Sequence, residues 1–160
     1  MTRTPPPTIA DERSALSARL DFLRATMVMK LDGLDDGPLR RPMTPTGLSL
    51  LGLVKHLTQV EHSWFVRRVG GKGGPKRFDP DAEFRVLPDE TTRSVVDGYL
   101  RACEDSRTVV AEHSLDDTFE HPRHGTTDLR WVLVHMVEET ARHAGHADII
   151  REQLDGATGV

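Results

Sequence analysis

Cysteine is almost absent. The 160-residue chain holds one, Cys103, so no internal disulfide can staple it and a reducing, cytoplasmic setting suits it. Long apolar runs are missing too: no stretch reaches the ~18 residues that a membrane-spanning helix needs. There is no basic run, and the formal net charge is -4. Without a phosphate-tracking surface, nucleic acid is not an expected partner. No glycine-rich phosphate loop follows a strand, no Ser-His-Asp order occurs, and no Cys-x-x-Cys pair is present. The N-terminus has three consecutive prolines and no apolar signal core. Residues 1–8 are therefore expected to be a disordered tail, and residues 9–160 a single domain.

What is present is an ordinary globular balance, with 37% hydrophobic and 29% charged residues, and an unusual number of histidines, eight in all. Apolar residues recur at three- and four-residue steps in four segments. Leu16, Leu20, Leu23 and Met27 predict a helix over 9–31, stopped at Asp32-Gly33. Ser49 is a suitable N-cap for a second helix over 49–69, whose inner stripe is Leu50, Leu53, Val54, Leu57, Val60 and Trp64. The glycines between 70 and 74 end it and read as a hinge. The polar stretch that follows, to Leu87, is expected to be mobile or to fold over one end of the domain.

Asp89 is the expected N-cap of a third helix running to His113. Residues 114–127 read as a loop, and the fourth helix runs from Thr127 or Asp128 to Leu154, closed by Gly156. No strand pattern of comparable strength occurs. Four long amphipathic helices in a chain of this length predict an all-α four-helix bundle.

The fourth helix carries the anomaly. At about 100° per residue, Val132, Met136, Ala147, Ile150 and Leu154 share a face with Glu139, His143 and His146. An acid and two imidazoles among aliphatic side chains must be satisfied, because an unpaired buried charge is costly. Glu139 and His143 lie one turn apart and can grip one metal ion. His56 flanks the inner stripe of the second helix and completes a candidate set of three. A carboxylate with two imidazoles suits zinc, nickel, iron or manganese. Three protein ligands leave a position open, the arrangement of catalytic rather than structural sites. The same residues also fit a hydrogen-bonded polar network without metal. Cys103 sits among apolar neighbours as a packing residue. Trp64 and Phe65 read as core, with the lining of a pocket as the alternative, His62 as solvent-exposed, and His121 and His124 as loop surface.

Two segments carry a resemblance. Leu48-Ser49-Leu50-Leu51-Gly52-Leu53-Val54-Lys55-His56-Leu57 is similar to the start of the second helix in the DinB-like superfamily, in its actinobacterial-type branch. Glu138-Glu139-Thr140-Ala141-Arg142-His143-Ala144-Gly145-His146-Ala147-Asp148 resembles its fourth-helix motif. The first-helix residues Leu23-Arg24-Ala25 and Lys30-Leu31-Asp32-Gly33-Leu34 match as well, and the likeness spans roughly 10–155.

The resemblance implies an up-down-down-up bundle, often a homodimer, whose metal is held by one histidine of the second helix and a His-x-x-x-His pair of the fourth. Here that pair is Glu-x-x-x-His, and a similar His, Glu, His set occurs in mycothiol-dependent maleylpyruvate isomerases. The metal ligands are thus expected to be His56, Glu139 and His143, with zinc as the foremost ion. Where many relatives carry glutamine, this chain has His146, a candidate catalytic base, competing ligand or supporting group. The implied activity is S-transfer or isomerisation of a small molecule with a low-molecular-weight thiol such as mycothiol or bacillithiol, with Arg142 or Arg151 binding an acidic part of the substrate. The alternative is a non-catalytic, stress-associated binding or structural bundle that keeps metal for stability or has lost it.

Overall fold

Asp11 opens the first helix, α1 (Glu12–Met29), by accepting a hydrogen bond from the Ser14 amide. The helix begins three residues later than the periodicity predicts, leaving Ile9 exposed. The computed structural model describes residues 3–72 and 80–158. After a short helix, α2 (Asp36–Arg40), Ser49 caps α3 (Leu50–Glu61) as expected, its hydroxyl accepting from the Gly52 amide. The helix does not stop at Glu61. It widens into a π-helical segment, His62–Val69, and closes with the Gly70 amide donating to Phe65 O.

Another short helix, α4 (Pro80–Phe84), follows residues 73–79, which lie outside the described residues along with part of the expected hinge. Next, α5 (Thr92–Ala111) is capped by Thr91 rather than Asp89. Thr91 and Ser94 satisfy each other's backbone amides in a reciprocal capping box, which moves the start two residues downstream. The last helix, α6 (Leu129–Asp155), is capped by Asp128 and ends at Gly156 in the left-handed region, φ 76°.

The stretch read as a loop before α6 contains a small antiparallel hairpin, β1 (Thr118–His121) and β2 (Gly125–Asp128). Its strands have only four residues each, too few to stand out in a period-2 pattern. Gly125, at φ 69°, closes the three-residue turn in a conformation that side chains resist.

Contacts at the helix ends set the directions. Arg130 near the start of α6 pairs with Glu12 at the start of α1, and Arg151 near its end donates to Lys30 O and Asp32 O, just past the end of α1. These two helices therefore run parallel. Lys55, early in α3, reaches Glu90 just before α5, while Gly70, past the π segment, lies against Val109 near the end of α5. These also run parallel. The end of α1 (Met27, Val28) packs with the start of α3, whereas Leu20 packs with Trp64 and Phe65. The order is up-down-down-up, an all-α DinB-like bundle.

The core falls into two aliphatic-rich halves, one around Leu51, Leu53, Tyr99 and Ala147, the other around Phe65, Leu129, Leu133 and Met136. Each fully buried large side chain stabilises the fold by about 1.5–3 kcal/mol. A buried ion pair lies in the bundle: Arg24 donates from two nitrogens to Glu61 at 2.8 and 2.6 Å. Among the described residues, no helix is long and apolar enough to cross a membrane.

Candidate metal centre

Adjacent turns of α6 present Glu139 and His143, and the middle of α3 presents His56. Their donor atoms all lie within 4.8 Å of one another. His143 Nε2 is 3.1 Å from Glu139 Oε1, and His56 Nε2 is 3.7 Å from the same oxygen. Ligand atoms about 2.0–2.2 Å from a tetrahedral ion are roughly 3.4 Å apart, a spacing that these two distances bracket. Both histidines are buried, and Glu139 is partly so. His143, at hydrogen-bond distance, and then His56 hold the Glu139 carboxyl well below the usual carboxylate range. It is therefore ionised, as a ligand must be. The donor set fits a divalent transition metal.

The surroundings fix His56. Phe84 stacks on its ring at 4.0 Å and 13°, and Glu83 Oε2 faces its Nδ1 at 3.3 Å. That nitrogen is buried and makes no aligned hydrogen bond. A carboxylate behind a ligating imidazole is the usual means of setting its tautomer and orientation. Both residues come from α4, which rests directly on α3. A Cβ on Gly52 would lie 2.4 Å from Phe84 O, so the close approach depends on glycine.

The three residues stand at one end of a cleft of about 520 Å³. His56 and Glu139 line it, and so do Trp64, Arg68 and His121, with His135 one turn before Glu139 and against Trp64. Trp64 stacks on His121 at 4.7 Å and Trp131 on His135 at 5.2 Å. The hairpin lays His121 and His124 against this wall, where the sequence suggested plain loop surface. Burial, followed by the positive charge of Arg68, pulls His121 down to about 4. The Arg123 amide donates to its Nδ1 at 2.9 Å, which also favours the neutral ring.

Mycothiol-S-transferases supply a family model that matches residues 15–156. The chain belongs to this family. It is a DinB-like family, as the second- and fourth-helix motifs suggested. Comparison with curated proteins finds no match.

For a mycothiol-S-transferase family member, the expected trio His56, Glu139 and His143 is brought together as the spacing required. His146 lies behind it: its Nδ1 is 3.4 Å from His143 Nδ1, and it is not among the cleft-lining residues. Arg142 is largely exposed, 3.6 Å from Glu139. Arg151 is committed elsewhere, to the carbonyls past α1 and to Asp155. Neither arginine lines the cleft. His62 is half-buried rather than exposed.

Sequence reasoning missed Arg68 and Glu83. Twelve residues at about 100° each put Arg68 roughly 120° from His56 on an unbroken α-helix. The π segment takes more residues per turn, so Arg68 returns to the same cleft. No period-3.6 pattern carries that signal. Glu83 had no signal beyond the expectation that its segment folds over one end of the bundle.

Proposed function

We propose that this chain is a divalent-metal-dependent transferase, joining a mycothiol-type thiol to a small electrophile. The observation that carries the reading is the convergence of His56, Glu139 and His143 at one end of a cleft large enough for a small molecule. Zinc is the ion that we assign first, since it takes this donor set with a position left open. A bound divalent ion supplies a lowered thiol pKa, so that thiolate exists at neutral pH.

The chain's own residues do the rest. His56, Glu139 and His143 hold the ion, Glu83 and Phe84 orient His56, and His146 backs the His143 ring as a positioning group. In the transfer, the thiol proton leaves to solvent through the open cleft. A sulfur–carbon bond forms at the electrophilic carbon, and the acceptor's leaving group departs with its bonding pair. Cys103 is no competing nucleophile, because burial pushes its thiol up to about 12.

The test is metal content by mass spectrometry on untagged protein, wild type against Glu139→Ala, followed by conjugation of mycothiol to an aryl halide. Near-stoichiometric metal that is lost in the variant, with turnover that follows the metal, supports the reading. Metal without turnover leaves a metal-stabilised bundle. No metal even after reconstitution overturns it.

A further inference from the structure

The cleft lining holds two acids beside the metal ligands, Glu83 and Glu139, and away from them one part-buried cation, Arg68, set among the rings of Trp64 and the neutral His121, with Arg123 at the exposed rim. Arg68 is the anomaly. Its Nε is buried without a hydrogen-bond partner, and the described residues include no carboxylate paired with it. Four arginines elsewhere in the fold are engaged: Arg24 with Glu61, Arg13 with two carbonyls, Arg130 with Glu12, and Arg151 with Asp155 and two more carbonyls. The Arg68 guanidinium is instead 5.2 Å from the centre of the Trp64 ring, where the π face draws it in but fills none of its donors.

Arg68 as a whole is half-buried, and the part of its guanidinium taken out of water has no partner to offset the loss. An anion that enters the cleft removes that cost. The guanidinium's planar fork of N–H groups matches the two oxygens of a carboxylate. Around it the walls are flat: Trp64 with His121 at 17° and Trp131 with His135 at 6°.

We infer that the Arg68 end is a carboxylate subsite and that the preferred acceptor is a flat, conjugated electrophile bearing a carboxylate. This rests on the transferase reading for the word acceptor, but the binding site itself does not. Arg68 is a specificity residue here: it grips the carboxylate, the ring walls hold the flat body, and the electrophilic carbon is left toward His56 and Glu139.

The chain has two tryptophans: Trp64 lines the cleft, and Trp131 packs against Trp64 and the lining residue His135, so their fluorescence reports this end without turnover. The experiment titrates the full-length protein with 4-nitrobenzoate and with its uncharged counterpart 4-nitrobenzamide. It uses wild type, Arg68→Gln, Arg68→Lys and His143→Ala, each checked for helix content by circular dichroism. Saturable quenching at least ten-fold tighter for the acid is expected in wild type. The preference disappears in Arg68→Gln, returns only in part in Arg68→Lys, and persists in His143→Ala.

Equal binding of acid and amide by wild type overturns the inference, as does a preference unchanged in both Arg68 variants. A preference lost in His143→Ala would place the carboxylate at the metal ligands and overturn it as well. Should Arg68→Gln fail to fold, the wild-type comparison and Arg68→Lys decide. Loss of the transferase reading leaves these outcomes untouched.

Discussion

Arg24 and Glu61 show how much one buried pair can matter. Each is nearly inaccessible, and two short hydrogen bonds hold them together. Glu61→Ala leaves the buried guanidinium only the part-exposed Asp21, 2.9 Å from one of its nitrogens, and is expected to destabilise the fold by about 3 kcal/mol, the low end of the cost of breaking a buried pair. Urea unfolding measures this; a loss under about 1 kcal/mol would mean that water reaches Arg24. His121 gives a pH signature. Its folded value of about 4 lies below the ordinary 6.5, so between those values the unfolded chain binds more protons. Its contribution to stability is complete above about pH 6.5 and is lost as pH falls toward 4. Observed by NMR, the His121 ring should titrate near 4. A midpoint at the ordinary value would show that the hairpin does not lie over the cleft.

Two departures from regular helix shape the site at the scale of elements. The π segment turns Arg68 and Trp64 into the cleft, and α4 carries Glu83 and Phe84 onto His56. The second depends on Gly52, because a methyl group there meets the Phe84 carbonyl at 2.4 Å. Gly52→Ala must push α4 outward and loosen His56. Metal affinity is expected to fall about ten-fold or more, as it does when groups behind a ligand are lost, in competition with a coloured chelator. Unchanged affinity would show that α4 does not position His56.

For the whole molecule, an ion held by His56, Glu139 and His143 would tie α3 to α6 across the bundle. An ion that binds only the folded state at a thousand times its Kd contributes about 4 kcal/mol. In a chain of this length each kcal/mol moves the midpoint by roughly 2–4 °C. Chelation should therefore lower the thermal midpoint by about 10 °C, by calorimetry with and without chelator. An unmoved midpoint would leave a hydrogen-bonded polar network in place of a metal centre.

Much of this was legible in the residues. Apolar spacing and caps such as Ser49 and Asp128 act within a turn or two, so the four long helices followed from local pattern. Glu139 and His143 lie one turn apart, and one helix's geometry placed them together. His56 came from its place beside an apolar stripe and from the family likeness. Nothing local named the pairing of Arg24 with Glu61. The hairpin, the widened helix, the seat of α4 on Gly52 and the unpaired Arg68 were settled only by the folded chain. Each depends on what a distant segment brings to the same place: a four-residue strand needs its partner, a π turn is set by the packing around it, and a cation is unpaired only once every neighbour is known.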